Sequence, residues 1–259
     1  MTYVNGALAQ FRVIHALALR ETKTRFGQHR AGYVWALLEP IFWIGTFYAL
    51  FALAGREGPA GMDLVPFLAT GIVTYQIFSV TTDKVSQAIN GNKALLFYPQ
   101  VQPLDLVFAR TILEAATFVI VFALIVGANA LAAQTLEVGS VLRVLWGMTL
   151  ASLLGMTLGL VFCALNVVSQ TADRVRGPMM RPLFWVSGLF FTANSLPSQV
   201  REVLLWNPVF HCTEIVRDGW FPPYHAIHAS SAYVLVWVVG LAFAGLTLER
   251  VVRRRVQVT

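Results

Sequence analysis

Repeated long apolar runs decide what solvent this chain can fold in. A helix needs about 17–25 mainly apolar residues to cross a bilayer. "WALLEPIFWIGTFYALFALA" (Trp35–Ala54) meets that requirement, and five further runs follow it, at about Val65–Thr82, Thr111–Leu131, Val144–Val168, Met179–Leu196 and Ala229–Leu248. The composition agrees. Of 259 residues, 57% are hydrophobic and 12% charged, against about 45–50% and 25% in soluble domains. The expected fold class is an all-α integral membrane protein with six transmembrane helices. The second run contains Gly71, Gln76 and Ser79 and is expected to face protein rather than lipid. The fifth is short, begins beside Arg181-Pro182, and holds Gly188 and Asn194. No cleavable signal is expected, because Val13–Leu19 is short and runs into Arg20-Glu21.

The basic residues orient the spans. Taking the six runs in turn, 15 of the 19 Lys and Arg fall on one side. Lys and Arg favour cytoplasmic loops, so both termini are expected inside. The net charge of +6 is then explained by topology and requires no nucleic-acid partner. The two cysteines, Cys163 and Cys212, give neither a disulfide framework nor metal spacing. His225 and His228 lack a third ligand nearby and read as loop residues rather than a metal site.

Segments outside the spans are patterned. As a helix, Leu8–Arg25 places Arg12, Arg20 and Lys23 on one arc and Phe11, Ile14, Leu17 and Ala18 on the other. Such a helix lies in the membrane interface, either as an anchor or as a docking surface. Asp83 is placed to cap a helix through Lys84–Asn90, ended by Gly91-Asn92. Leu95, Leu96, Phe97 and Tyr98 then form apolar surface on a cytoplasmic loop, which suggests a contact site. Pro99 and Pro103 are expected to keep the following link extended. On the other side, two short helices are expected, Ser198–Trp206 and Val209–Asp218, the first stopped by Asn207-Pro208. They are too apolar for water and must be covered by protein at membrane depth. Glu39-Pro40, at the start of the first span, suits a helix start, where an acid meets the dipole and proline's missing N–H does little harm.

Several chemistries lack their residues. No G-x-x-x-x-G-K-[ST], H-E-x-x-H or G-x-S-x-G occurs. Ion-coupled transport places acids near the midplane, yet Glu39, Asp105 and Glu114 fall near span ends. Arg110 and Glu114 are spaced to pair along a helix. Aromatics concentrate in the first and fifth spans: Trp43, Phe47 and Phe51 at every fourth residue, then Phe184, Trp185, Phe190 and Phe191. They either pack helices or line a passage, where aromatic faces meet the apolar faces of sugar rings.

"RFGQHRAGYVWALLEPIFW" and "NKALLFYPQVQPLDLVFARTILE" resemble the membrane subunit of type-2 ABC exporters for capsular polysaccharide, the KpsM-like permeases. "NPVFHCTEIVRDGWF" resembles the wider exporter class. The resemblance implies one transporter membrane domain over 1–259: a cytoplasmic interface region over 1–34, six spans over 35–248, and a basic cytoplasmic tail over 249–259. It implies a homodimer in the bacterial inner membrane with two copies of a separate ABC ATPase. ATP and magnesium are then bound by that partner and no cofactor by this chain. It implies a periplasmic co-polymerase, an outer-membrane exporter and a lipid-linked acidic polysaccharide as further partners. ATPase docking falls to Arg12, Arg20, Lys23, Arg25, Asp83, Lys84, Asn90, Asn92 and Lys93. The substrate channel falls to Arg30, Glu39, Trp43, Phe47, Phe51, Phe184, Trp185 and Phe191. The periplasmic gate falls to Trp206, Asn207, Pro208, Glu214 and Arg217. A permease for O-antigen or teichoic-acid polymer fits the same pattern. A membrane enzyme acting on a polyprenyl-linked glycan needs clustered acids or a His–acid constellation, and a proton-coupled transporter needs midplane acids and repeated halves; neither pattern is found.

Overall fold

The computed structural model describes residues 3–26, 31–56, 58–98, 100–134, 137–169 and 171–256. Among them there is no strand. The helices are α1 (Tyr3–Phe26), α2 (Ala31–Leu53), α3 (Leu64–Ser86), α4 (Pro103–Ala133), α5 (Val141–Val168), α6 (Thr171–Val186), α7 (Ser198–Leu204), α8 (Pro208–Trp220) and α9 (Ser231–Val256). A 3-10 segment, Asn90–Phe97, joins α3 to α4. By length and composition α3, α4, α5 and α9 can cross a membrane, and Leu37–Leu53 of α2 is a shorter apolar helix.

The centre of the bundle is α3. Every residue from Pro66 to Phe78 is buried, as its interrupting Gly71 and Gln76 suggested. It packs most extensively on α5, which in turn carries α8 and α9. Small residues allow that approach. Gly147, Ala151, Gly155 and Gly159 recur every fourth residue, so they form one stripe along α5. A Cβ on Gly155 would lie 2.6 Å from the Phe78 carbonyl oxygen, and one on Gly159 2.7 Å from Val85. Backbone contact at that range is how helices associate where lipid removes the hydrophobic drive.

Several boundaries differ from expectation. The helix α4 begins eight residues before the expected third span. Pro103 occupies its first turn, and Gln102 and Asp105 form a reciprocal capping box, the Gln102 N–H reaching Asp105 Oδ2 at 2.9 Å. Pro103 therefore starts a helix instead of extending a link. Asp83 is no N-cap, since α3 runs unbroken through it to Ser86. Starting at Ala31, α2 places Pro40 in its interior, where the Ala36 carbonyl loses its helical donor. Continuing to Val256, α9 makes most of the expected tail helical.

The largest difference is the fifth span. Instead of Met179–Leu196, α6 occupies Thr171–Val186 and stops where Gly188 adopts φ +74°, a conformation open to glycine. Its 16 residues reach about 24 Å, short of a hydrocarbon core of about 30 Å. The next ten residues form an irregular segment with one short 3-10 turn, Ala193–Ser195.

The first helix does not lie free with one apolar face down. Leu17 is buried, with Val13, Ile14 and Ala18 beside it, in a second small core with Val85, Leu106, Val107 and Cys163. Phe11, assigned to that face, is 68% exposed. Polar contacts fix the seat of α1 on α4: Gln10 Nε2 donates to Asp105 Oδ1 at 2.7 Å, and Arg110 pairs with Glu21 at 3.4 Å.

Candidate functional site

Three groups of candidate residues lie along the bundle: a polar surface at one end, an aromatic wall, and a buried clamp at the other end. At the first end, α1 meets the 3-10 segment. Arg20 donates to Asn92 Oδ1 at 3.4 Å, and the buried Asn92 donates back to the Ala88 carbonyl at 3.2 Å. Arg12, Lys23 and Lys93 are exposed. Phe97 and Tyr98 are also exposed, at 87% and 64%, while Leu95 and Leu96 turn inward onto the small core. Asn90 reaches the Asn166 carbonyl at 3.5 Å, and the Lys84 carbonyl accepts from Arg110. Arg30 and the Arg25 side chain lie outside the described residues.

The Asp83 side chain, 40% exposed, pairs with Arg176 of α6 at 2.5 Å. Arg176 also donates to the Asp83 carbonyl at 3.1 Å and to the Ser86 hydroxyl. On the end of α5, Asn166 Nδ2 donates to the Ser86 carbonyl at 3.3 Å and to Asp173 Oδ1 at 3.2 Å. Thus α3, α5 and α6 are joined at this end. In the sequence Arg176 stands out only as one of the basic residues that orient the spans.

The aromatic wall joins α2 to α6. Ring centroids of Trp43 and Phe184 are 5.6 Å apart, Phe47 and Trp185 6.2 Å, and Phe47 and Phe190 4.1 Å. Phe47 is buried within the cluster; Trp43 and Trp185 keep 37% and 58% of their surface open. The structure therefore brings Trp43, Phe47, Phe184 and Trp185 together. Phe51 lies one turn further along α2, half-buried. Phe191 leaves the wall and packs on Phe210 of α8 at 5.8 Å. Glu39 is exposed on α2 beside the buried Pro40.

The clamp explains how the chain after α6 avoids being a helix. Buried backbone groups must find partners, and here α8 and its capping residue Asn207 supply them. Asn207 donates to the Val186 carbonyl at 3.3 Å, and Thr213 to the Ser187 carbonyl at 2.9 Å. Arg217 donates to the Leu189 and Phe191 carbonyls at 3.1 and 2.7 Å. Glu214 Oε2 accepts from the Ala193 N–H at 3.1 Å and from the Tyr224 hydroxyl. Glu214 and Arg217 pair at 3.3 Å with both side chains essentially inaccessible. The guanidinium also lies 4.2 Å from the centroid of the Phe67 ring, a cation–π contact. Burial and Glu214 push the Tyr224 phenol up, so it remains a donor. Gly71 admits the clamp, since a Cβ there would sit 2.9 Å from the Leu189 Cα and 3.0 Å from Arg217 Nη2.

Of the expected gate, Glu214 and Arg217 are thus interior. Trp206 is 77% exposed, and its carbonyl accepts from Tyr233 at 3.0 Å. Asn207 caps α8 by accepting from the Val209 N–H at 3.0 Å, with Pro208 in the first turn. The signal for the clamp was in the sequence, as opposite charges three residues apart on a short apolar helix, but nothing local told burial from exposure.

Among the described residues no three His, Cys, Asp or Glu side chains gather as a metal-binding group. Comparison with known proteins places the chain in a family. The profile of a family described as ABC-2 type transporter matches residues 12–221. The chain is 30% identical over 246 residues to the polysialic acid transport protein KpsM of Escherichia coli, covering 95% of each. It is 27% identical over 249 residues to the capsule polysaccharide export inner-membrane protein BexB of Haemophilus influenzae, covering 96% of this chain and 94% of that one. It is 26% identical over 247 residues to the corresponding protein CtrC of Neisseria meningitidis serogroup A, covering 95% and 93%.

Proposed function

This chain belongs to the ABC-2 type transporter family, and from that premise we propose that it is the membrane subunit of an ATP-driven exporter of lipid-linked capsular polysaccharide. The observation that carries the reading is similarity over nearly the whole chain to capsule export permeases. On this reading it sits in a bacterial inner membrane as one domain with six crossings, made by α2, α3, α4, α5, α6 and α9, and with both termini in the cytoplasm. The 15-to-4 bias of Lys and Arg supports that orientation.

Two such subunits form the transport path, and each engages one ATP-hydrolysing subunit. Nucleotide and magnesium belong to that partner. Its docking surface is the α1 and Asn90–Phe97 end, where Arg12, Lys23, Lys93, Phe97 and Tyr98 are all exposed. Exposed aromatic residues are enriched at protein interfaces. The wall of Trp43, Phe184 and Trp185 meets the sugar chain through ring stacking, and cytoplasmic arginines attract its acidic head. The clamp holds the periplasmic mouth closed in the resting state. A periplasmic co-polymerase and an outer-membrane exporter extend the path.

Purification from native membranes in mild detergent tests this. The expected result is recovery of an ATP-hydrolysing subunit in equal copy number, together with loss of surface polysaccharide when the gene is deleted. Intact surface polysaccharide in the deletion strain overturns the proposal.

A further inference from the structure

One face of α6 is held: Met180, Leu183 and Phe184 pack on the main core. The helix carries Pro178 and Pro182, which deprive the Arg174 and Pro178 carbonyls of helical donors. Val175 and Trp185 are 53% and 58% exposed. In its middle, the Met180 carbonyl accepts from Tyr75 of α3. Its far end is tied to the clamp through Ser187. At its near end the tie is Arg176, which is 13% exposed and reaches three acceptors on the last turn of α3.

We propose that Arg176 is a positioning residue that couples the α3–α4 junction to the aromatic wall. The inference rests on the exporter reading above. Asp83 and Ser86 lie in the turn of α3 that leads into Asn90–Phe97, the segment assigned to docking. Movement of that segment displaces the last turn of α3. A planar guanidinium held by a carboxylate, a carbonyl and a hydroxyl follows such a movement in more than one direction, as a single ion pair does not. Asn166 keeps the joint in register by binding Ser86 and Asp173 at once. Beyond Arg176 come the two prolines, where a helix bends most readily, and then Phe184 and Trp185. A tilt imposed at Arg176 therefore swings the wall.

A joint that only staples the fold predicts different behaviour, and reconstitution of the complete complex separates the two. For Arg176→Gln the expected result is unchanged complex yield and ATP hydrolysis, with export per ATP hydrolysed reduced about tenfold, within the range single residues contribute to coupled networks. The exchanged pair D83R/R176D is expected to export more per ATP than either single change. Export per ATP equal to wild type in Arg176→Gln overturns the inference alone. Yield, hydrolysis and export falling in parallel overturns it in favour of a staple, as does an exchanged pair no better than its singles. A wild-type complex that hydrolyses no ATP or exports no polymer overturns the exporter reading itself.

Discussion

Replacing Arg217 with methionine tests the buried clamp most directly. Methionine keeps much of the volume but removes the cation, two backbone hydrogen bonds and the contact with Phe67. Breaking a buried ion pair from one side is destabilising by about 3–5 kcal/mol, because the surviving charge stays buried without its partner. Here that survivor is Glu214, which keeps only Ala193 and Tyr224. The double change R217M/E214M removes both charges but still strands the Leu189 and Phe191 carbonyls, the Ala193 N–H and the Tyr224 hydroxyl. Each buried group left unpaired is worth about 1–3 kcal/mol, so the double variant remains weaker than wild type. It is nevertheless expected to lose less than the sum of the two single losses. Unfolding in mixed micelles of graded denaturing-detergent content, followed by tryptophan fluorescence, gives all four stabilities for the cycle. Additive losses, or an Arg217→Met variant as stable as wild type, refute the argument that the pair acts as one buried unit.

Other expectations follow from burial and contact. Trp185→Ala is expected to reduce export while changing stability by no more than about 1 kcal/mol, since the ring is largely open; Phe47→Ala, inside the same cluster, is expected to lose about 3–5 kcal/mol, and the two are compared by export assay and unfolding side by side. Gly155→Leu is expected to abolish folded yield in membranes, because its Cβ alone meets the Phe78 carbonyl oxygen at 2.6 Å; normal yield argues against the close α3–α5 contact. Changing Phe97 and Tyr98 to serine is expected to lower recovery of the ATPase subunit at unchanged unfolding midpoint, measured by copurification.

What could be read in advance depended on whether the cause was local. Apolar run length located α3, α5 and α9 closely, because a span's length is set by the bilayer and its content by the sequence itself. The stop at Asn207-Pro208 and the pair of short helices around it were equally local. The early start of α4 was also encoded locally, in Pro103 and Asp105, but that signal lies in a polar stretch that hydropathy passes over. The fifth span failed for a non-local reason. An apolar stretch after Val186 reads as helix unless something else satisfies its carbonyls, and the donors that do so belong to Asn207, Thr213 and Arg217, some twenty to thirty residues away. Asp83 failed likewise. It sits before a lysine and reads as a cap, but its partner is Arg176 on a different helix.

That non-local arrangement bears on how the proposed path opens. On the six-crossing topology, the fifth crossing is composite: about 24 Å of α6, then an irregular segment. Irregular backbone is tolerated at membrane depth only where protein covers it, which on that topology places α8 in the membrane rather than above it. A continuous helix would have to break internal hydrogen bonds to yield at its outer end. A segment pinned by side chains of α8 and its cap need only release them. Five such bonds hold it, from Val186, Ser187, Leu189, Phe191 and Ala193, at about 0.5–1.5 kcal/mol each in net terms. Their sum is comparable to the roughly 5 kcal/mol of differential binding that moves a two-state element from mostly closed to mostly open. A gate built this way is closed firmly at rest and is still within reach of energy delivered from the far end of α6.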